Sequence, residues 1–150
     1  MNATPQGWPR ITPAVFYGDA GAAIDWLCKA FDFDVRLKVE GDNGRIEHSE
    51  LVYAEGVIMV GQAGSNPRRP QMTYPTSPRT VGGANTQVLM LYVDDVDAHC
   101  ARARAAGATI FSEPEVQDYG PDYWSDRSYG AVDIEGHHWW FTQRLRNPKP

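Results

Sequence analysis

The chain of 150 residues is short of cysteine, of long apolar runs and of clustered positive charge. Each shortage closes off a class of protein. Its two cysteines, Cys28 and Cys100, stand 72 residues apart. A thiolate zinc site needs ligands grouped within a few residues, and a disulfide framework needs more cysteines in a smaller chain. Both therefore read as buried, reduced thiols. No run approaches the ~20 apolar residues that span a bilayer, so no membrane partner is expected. Met1-Asn2-Ala3-Thr4-Pro5 lacks the basic-then-apolar pattern of a secretory signal, which makes the cytoplasm the expected compartment. Formal net charge is −5, with both signs interspersed. Nucleic-acid surfaces concentrate positive charge on one face, so no nucleic-acid partner is expected. The short basic groups at Arg68-Arg69 and Arg144–Arg146 read as solvated surface.

What is present is a globular balance, 42% hydrophobic and 22% charged residues, in a chain the size of one domain. Its second half repeats its first. Tyr17-Gly18-Asp19 opens the helical run Ala20–Phe31, and Tyr92-Val93-Asp94-Asp95 opens the run Val96–Gly107. Ala54-Glu55-Gly56 leads into one terminal strand, and Ile134-Glu135-Gly136 leads into another. Asp19 and Asp95 are 76 residues apart, and Gly56 and Gly136 are 80 apart. Two copies at so long a period indicate a duplicated module, not a solenoid.

Local signals give each copy the order β-α-β-β-β. Ile11–Tyr17 reads as a strand. Asp19 is an N-cap, followed by the helical stripe Ala23, Trp26, Leu27, Ala30 and Phe31. Phe33–Glu40 alternates as a half-buried strand, Gly41-Asp42-Asn43-Gly44 turns the chain, and Arg45–Tyr53 and Val57–Gln62 complete the first copy. Gly64–Thr86 is rich in Pro, Gly, Ser and Thr, and reads as a linker or as a loop over a cavity mouth. Gln87–Val93 is a strand; Asp94 or Asp95 caps a helix with the stripe Val96, Cys100, Ala103 and Gly107, leaving His99 toward solvent. Ala108–Ser112 is a short strand, Glu113–Ser125 a loop, and Asp126–Asp133 with His137–Gln143 the last hairpin. Arg144–Pro150 is expected to fray.

These segments resemble a known family. YVDDVDAHCARARAAGA, SEPEVQDYG and DRSYGAVDIEGHHWWF are similar to the second module of the glyoxalase/bleomycin-resistance branch of the vicinal-oxygen-chelate superfamily. ITPAVFYGDAGAAIDWLCKAF and RIEHSELVYAEGVIMVGQ resemble the first module of its PhnB-like members. Ile134 stands where the family usually has Pro. The resemblance implies an α+β fold of two tandem βαβββ modules, residues 11–62 and 87–143 joined by a linker at 63–86, forming a curved mixed sheet around a central cavity. It also implies a homodimer. In the family's metal enzymes, each module supplies one ligand from its first strand and one from its last. The corresponding positions here are Thr12 and Val60, then Val88 and Trp140. None is a normal donor to zinc, iron or manganese, so no metal cofactor is expected. The leading expectation is a small-molecule-binding protein for an aromatic or amphipathic ligand. The alternative is a divergent metal-dependent glyoxalase-like lyase, isomerase or dioxygenase with a shifted site.

Seven residues are candidates for the ligand site. His48 and Glu50, two apart on one strand, share a face, and a His–carboxylate pair can hold a proton near neutral pH. They are the candidate acid/base pair, against the plainer reading of a hydrogen-bonded pair at the sheet rim. His138 and Trp140 share a face of the last strand, while His137, Trp139 and Phe141 take the opposite one. His137 reads as a hairpin-holding histidine. Tyr123 and Trp124 lie in a loop, where flat rings suit a planar ligand, and Arg127 is placed to pair with an anionic group or to brace the loop through Asp122 or Asp126. A shifted metal site would draw on His48, Glu50 and His138.

Overall fold

Two aspartates start the two helices. In a computed structural model describing residues 1–150, the Asp19 carboxylate accepts from the Ala22 N–H and α1 runs Ala20–Phe31. Asp95 accepts in the same way from Ala98, and α2 runs Val96–Ala105. Each such cap is worth about 1 kcal/mol. Asp32 closes α1 in the left-handed region at φ 65°.

Strands β1 (Ala14–Tyr17), β2 (Asp34–Glu40), β3 (Ile46–Tyr53) and β4 (Gly56–Gln62) form one sheet in the order β1-β4-β3-β2. Strands β5 (Leu89–Tyr92), β6 (Thr109–Asp118), β7 (Ser125–Val132) and β8 (His138–Arg146) form a second in the order β5-β8-β7-β6. Each is mixed, its first strand parallel to its last and the other pairs antiparallel. The fold is α+β, and the duplication is visible strand for strand.

One core joins both modules. Leu51, Ile58 and Val60 of the first sheet and Tyr129, Ala131, Trp139 and Phe141 of the second are buried together with α1 and α2. The Phe31 ring lies 4.7 Å from Phe141 and 5.5 Å from Trp139, so the end of α1 packs on side chains of the second sheet. Trp26 donates its indole N–H to the Ala106 carbonyl at 2.9 Å, tying the two helices.

Several sequence expectations need correction. The first strand starts at Ala14, not Ile11. The second, read as half-buried, lies at the edge of its sheet and is exposed along its whole length. The stretch read as a loop from Glu113 is strand as far as Asp118, with Pro114 at a register irregularity where its missing N–H is tolerated. The tail expected to fray remains in β8 through Arg146, held by Arg144 to Asp126 at 2.5 Å and Arg146 to Asp118 at 2.6 Å. Those arginines are paired, not merely solvated.

His99 was expected in solvent but is buried at 7% exposure. It sits three residues after Val96 and one before Cys100, within the buried side of α2. The Phe31 carbonyl can only accept, so His99 Nε2 carries the proton, and Nδ1 accepts from the Tyr129 hydroxyl at 2.7 Å. Burial first, offset partly by the Phe31 carbonyl, holds its pKa below the usual histidine value.

Candidate functional site

The residues that join the modules come from the β7–β8 turn. Val132 pairs with His138, leaving Asp133–His137 as the connection. Asp133 Oδ1 accepts the backbone N–H groups of Glu135, Gly136 and His137, each at 3.0 Å. Its Oδ2 accepts the Tyr17 hydroxyl at 2.6 Å and the Trp139 indole N–H at 3.0 Å. Burial, then Asp133, pushes the Tyr17 phenol well up. Glu135 takes the Gly18 N–H at 2.7 Å, the Asp19 N–H at 2.9 Å and the Ser77 hydroxyl at 2.5 Å. His137 Nε2 donates to the Phe16 carbonyl at 2.8 Å, so it braces β1 as well as its own hairpin.

The sheet faces turned away from the helices remain open. On the first, Ser49 and Leu51 point into the core and leave His48 and Glu50 on the open side. His48 Nε2 lies 2.9 Å from Glu50 Oε1, and Arg36 Nε lies 2.7 Å from Glu50 Oε2. A register irregularity beside Arg36 lets it reach that face. Trp8 stacks on the guanidinium at 4.4 Å, and the Gly7 carbonyl accepts from it. The His48 hydrogen bond, opposed by desolvation and aided by Arg36, holds the Glu50 carboxyl below the usual carboxylate range.

On the second sheet, Phe111, His138 and Trp140 form a ring cluster. Phe111 stacks on His138 at 5.0 Å and meets Trp140 edge-on at 5.3 Å. Gly130 makes this possible, because a Cβ there would come within 2.3 Å of the Phe111 ring. Ser128 and Thr142 hydrogen-bond at 2.9 Å in the adjoining register position. Farther along, Arg144 donates to Asp126 and to the Tyr92 hydroxyl, and its guanidinium lies 5.4 Å from the Tyr92 ring and 5.8 Å from the Trp124 ring.

Of the predicted site residues, the structure therefore pairs His48 with Glu50 and places His138 beside Phe111 and Trp140. It keeps the two groups on separate sheets. Tyr123 is 58% exposed and packs edge-on against Trp124. Arg127 meets neither Asp122 nor Asp126. It forms a bidentate pair with Asp97 of α2 at 2.9 and 2.7 Å, which occupies its guanidinium on the helix side. Sequence reasoning missed Phe111 and Arg144; the Phe111–Gly130 juxtaposition comes from an irregular β6–β7 register that one strand alone does not reveal.

The expected single central cavity is also divided. The major pockets lie at the seam between modules and around the linker. One of about 650 Å³ is bordered by Asp32, Asp34, Glu55, Asp94 and Arg144, and a smaller apolar one of about 300 Å³ lies between Pro9–Pro13 and β5. No three His, Cys, Asp or Glu side chains converge on a point suited to a metal ion. Of the four family ligand positions, Val60 faces the core at 1% exposure, and Met59 takes the open side beside Glu50. The reason is turn length. Tyr53 pairs directly with Gly56 across a two-residue turn, whereas the β7–β8 connection is longer, so counting from glycine gives opposite faces in the two modules. Threonine, methionine, valine and tryptophan do not fit a zinc, iron or manganese site.

Sequence and structure comparisons agree with this architecture. A profile of the Glyoxalase/Bleomycin resistance protein/Dioxygenase superfamily matches residues 10–141. The chain belongs to that superfamily. It is similar to an uncharacterized protein of Mycobacterium bovis, 37% identical over 141 residues and covering 92% of this chain and 85% of the relative. Among solved structures it resembles TioX from Micromonospora sp. ML1, with TM-score 0.69, 30% identity, and coverage of 92% of this chain and 100% of the other. It shares its fold with TnmS3, described as an antibiotic binding protein from Streptomyces sp. CB03234, at TM-score 0.57 and 20% identity, covering 89% of this chain and 93% of the other.

Proposed function

We propose that the chain is a binding protein, with no resident metal, that holds a small aromatic or amphipathic molecule against the open face of its second sheet. The observation that carries this reading is the cluster of exposed Phe111 with half-buried His138 and Trp140, flanked by Tyr92, Trp124 and Arg144. Rings fixed on a strand offer a flat apolar contact at little entropic cost, and the guanidinium and Ser128–Thr142 supply the few polar points such sites use. The description of TnmS3 as an antibiotic binding protein is consistent with this use of the fold. The PhnB-like resemblance of the first module belongs to the same reading.

The protein works in the cytoplasm as a homodimer. Leu37 and Val39 on the first sheet and Met90, Tyr92 and Phe111 on the second are 42–53% exposed, an apolar surface that a second copy would cover. A dimer that sets one chain's first sheet opposite the other's second brings His48 and Glu50 to the ligand as polar anchors. No helix is long and apolar enough to cross a membrane.

Titration with 1-anilinonaphthalene-8-sulfonate, followed by tryptophan quenching, tests the site. Saturable binding that weakens at least tenfold in Trp140→Ala supports it, and equal binding by wild type and variant sinks it. Stoichiometric zinc, iron or manganese in the purified protein would refute the metal-free claim. A monomer mass by light scattering would remove the dimer.

A further inference from the structure

The linker at 63–86 is pinned at several points. Gly64 N–H donates to the Pro75 carbonyl at 2.8 Å, and Ser77, wholly buried, donates to Glu135. Gly83 N–H donates to the Pro78 carbonyl at 2.8 Å. Asn85 donates to the Gly136 carbonyl at 2.9 Å and accepts from the His138 N–H at 3.2 Å. Held in this way, the linker borders a half-open cavity of about 580 Å³ against β1, within the ~300–1,000 Å³ range of small-molecule sites. Phe16, Tyr74 and His137 supply its rings, and Gln87 lies at its border. Gly61 makes room for Phe16, since a Cβ there would come within 2.8 Å of the ring. Ala14 and Phe16 put it at the β1 edge of the first sheet's open face, but none of His48, Glu50, Phe111, His138 or Trp140 borders it, so it is distinct from the ligand face proposed above.

Two of its side-chain polar atoms are acceptors without a partner, beside the hydroxyls of Tyr74 and Thr86. His137 Nε2 donates to the Phe16 carbonyl, which leaves Nδ1 of the neutral ring as an acceptor. Gln87 Nε2 points to the Ala14 carbonyl, which leaves Oε1 as an acceptor. The Asn85 amide is engaged at both ends. No buried side-chain N or O atom lacks a partner, so the remaining acceptors are reachable from outside.

We propose that this linker-bordered cavity is a second binding site, selective for planar heteroaromatic molecules that carry an N–H donor. The rings and prolines contact the faces of the guest, and His137 Nδ1 and Gln87 Oε1 accept its N–H. Burying those acceptors against a guest without a donor leaves them unpaired, which is the source of selectivity.

Indole and benzofuran, alike in shape and differing in the N–H, are the probes. Two-dimensional ¹H–¹⁵N NMR titration of the full chain should show saturable indole shifts at the amides of Phe16, Asn85, Gln87 and His137, with benzofuran about tenfold weaker. Tyr74→Ala and Gln87→Leu, both at exposed side chains, should weaken indole severalfold, and Gln87→Leu should also narrow the gap to benzofuran. Trp140→Ala should leave these shifts unchanged, which separates this site from the face proposed above. Shifts confined to β7 and β8, equal affinity for the two probes, or no saturation would each overturn the proposal.

Discussion

Replacing Glu135 by alanine offers the sharpest test of how the two modules are joined. Its carboxylate is 4% exposed and accepts from Gly18 N, Asp19 N and the Ser77 hydroxyl, with Arg79 at 3.6 Å. Hydrogen bonds to a charged group contribute about 1.5–3 kcal/mol each, and removing one side of a buried charged network costs roughly 3–5 kcal/mol because the surviving donors lose their partner. For a domain of this size that corresponds to a fall in Tm of roughly 6–20 °C. Glu55 is the internal control. It occupies the same place in the first module's turn and is exposed, so Glu55→Ala should change stability by no more than about 0.5 kcal/mol. Urea unfolding of both variants, with unchanged m-values, is the assay. The reasoning fails if Glu135→Ala loses under about 1 kcal/mol or matches Glu55→Ala. The same site has a pH signature. Burial, the largest influence, would raise the Glu135 pKa, but Ser77, Asp19, Gly18 and Arg79 together hold it below the usual carboxylate range. Its contribution is therefore full above the unfolded glutamate pKa, and is lost as pH falls through the lower folded value.

Three further outcomes follow from particular contacts. His99 has a folded pKa below its unfolded one, so its contribution is full above the unfolded value of ~6.5 and declines as pH falls below it; thermal melts from neutral to mildly acidic pH should show the decline, and His99→Gln should flatten it. Gly130→Ala should displace the Phe111 ring, whose exposed position lets it swing aside, at a stability change of about 1 kcal/mol or less but with clear loss of naphthyl-probe binding; unchanged binding would disconnect Phe111 from the site. Under native conditions a thiol reagent should modify partly exposed Cys28 well before buried Cys100, and mass mapping that found Cys100 first would contradict the packing of α2.

Much of the architecture was legible because it depends on local chemistry. Asp19 and Asp95 cap helices where short-range hydrogen bonding predicts, Asn43 and Gly44 take the positive φ their turn requires, and Trp139 and Phe141 enter the core as strand alternation demands. The misreadings share one cause, dependence on a partner distant in sequence. Glu113–Asp118 read as part of a loop because nothing local says that its strand is an edge, and Arg144–Arg146 looked free until Asp118 and Asp126 came beside them. His99 looked polar and exposed because its partners, the Phe31 carbonyl and the Tyr129 hydroxyl, lie 68 and 30 residues away. Within the candidate site, the spacing of His48 and Glu50 showed their shared face and the duplication put His138 in the other module, but no single strand could show Phe111 beside it.

The acid at position 135 makes the two halves unequal. It heads the first half's helix from the far end of the chain, whereas Glu55 returns no such service to the second half's helix, which begins on Asp95 and on the Gln143 side chain from its own last strand. Severed at the linker, the C-terminal fragment would keep the partners of its first helical turn, and the N-terminal fragment would be left with bare amides at Gly18 and Asp19. At the helix starts the duplication has thus lost its symmetry, one helix borrowing its partner from the other half and the other supplied from within.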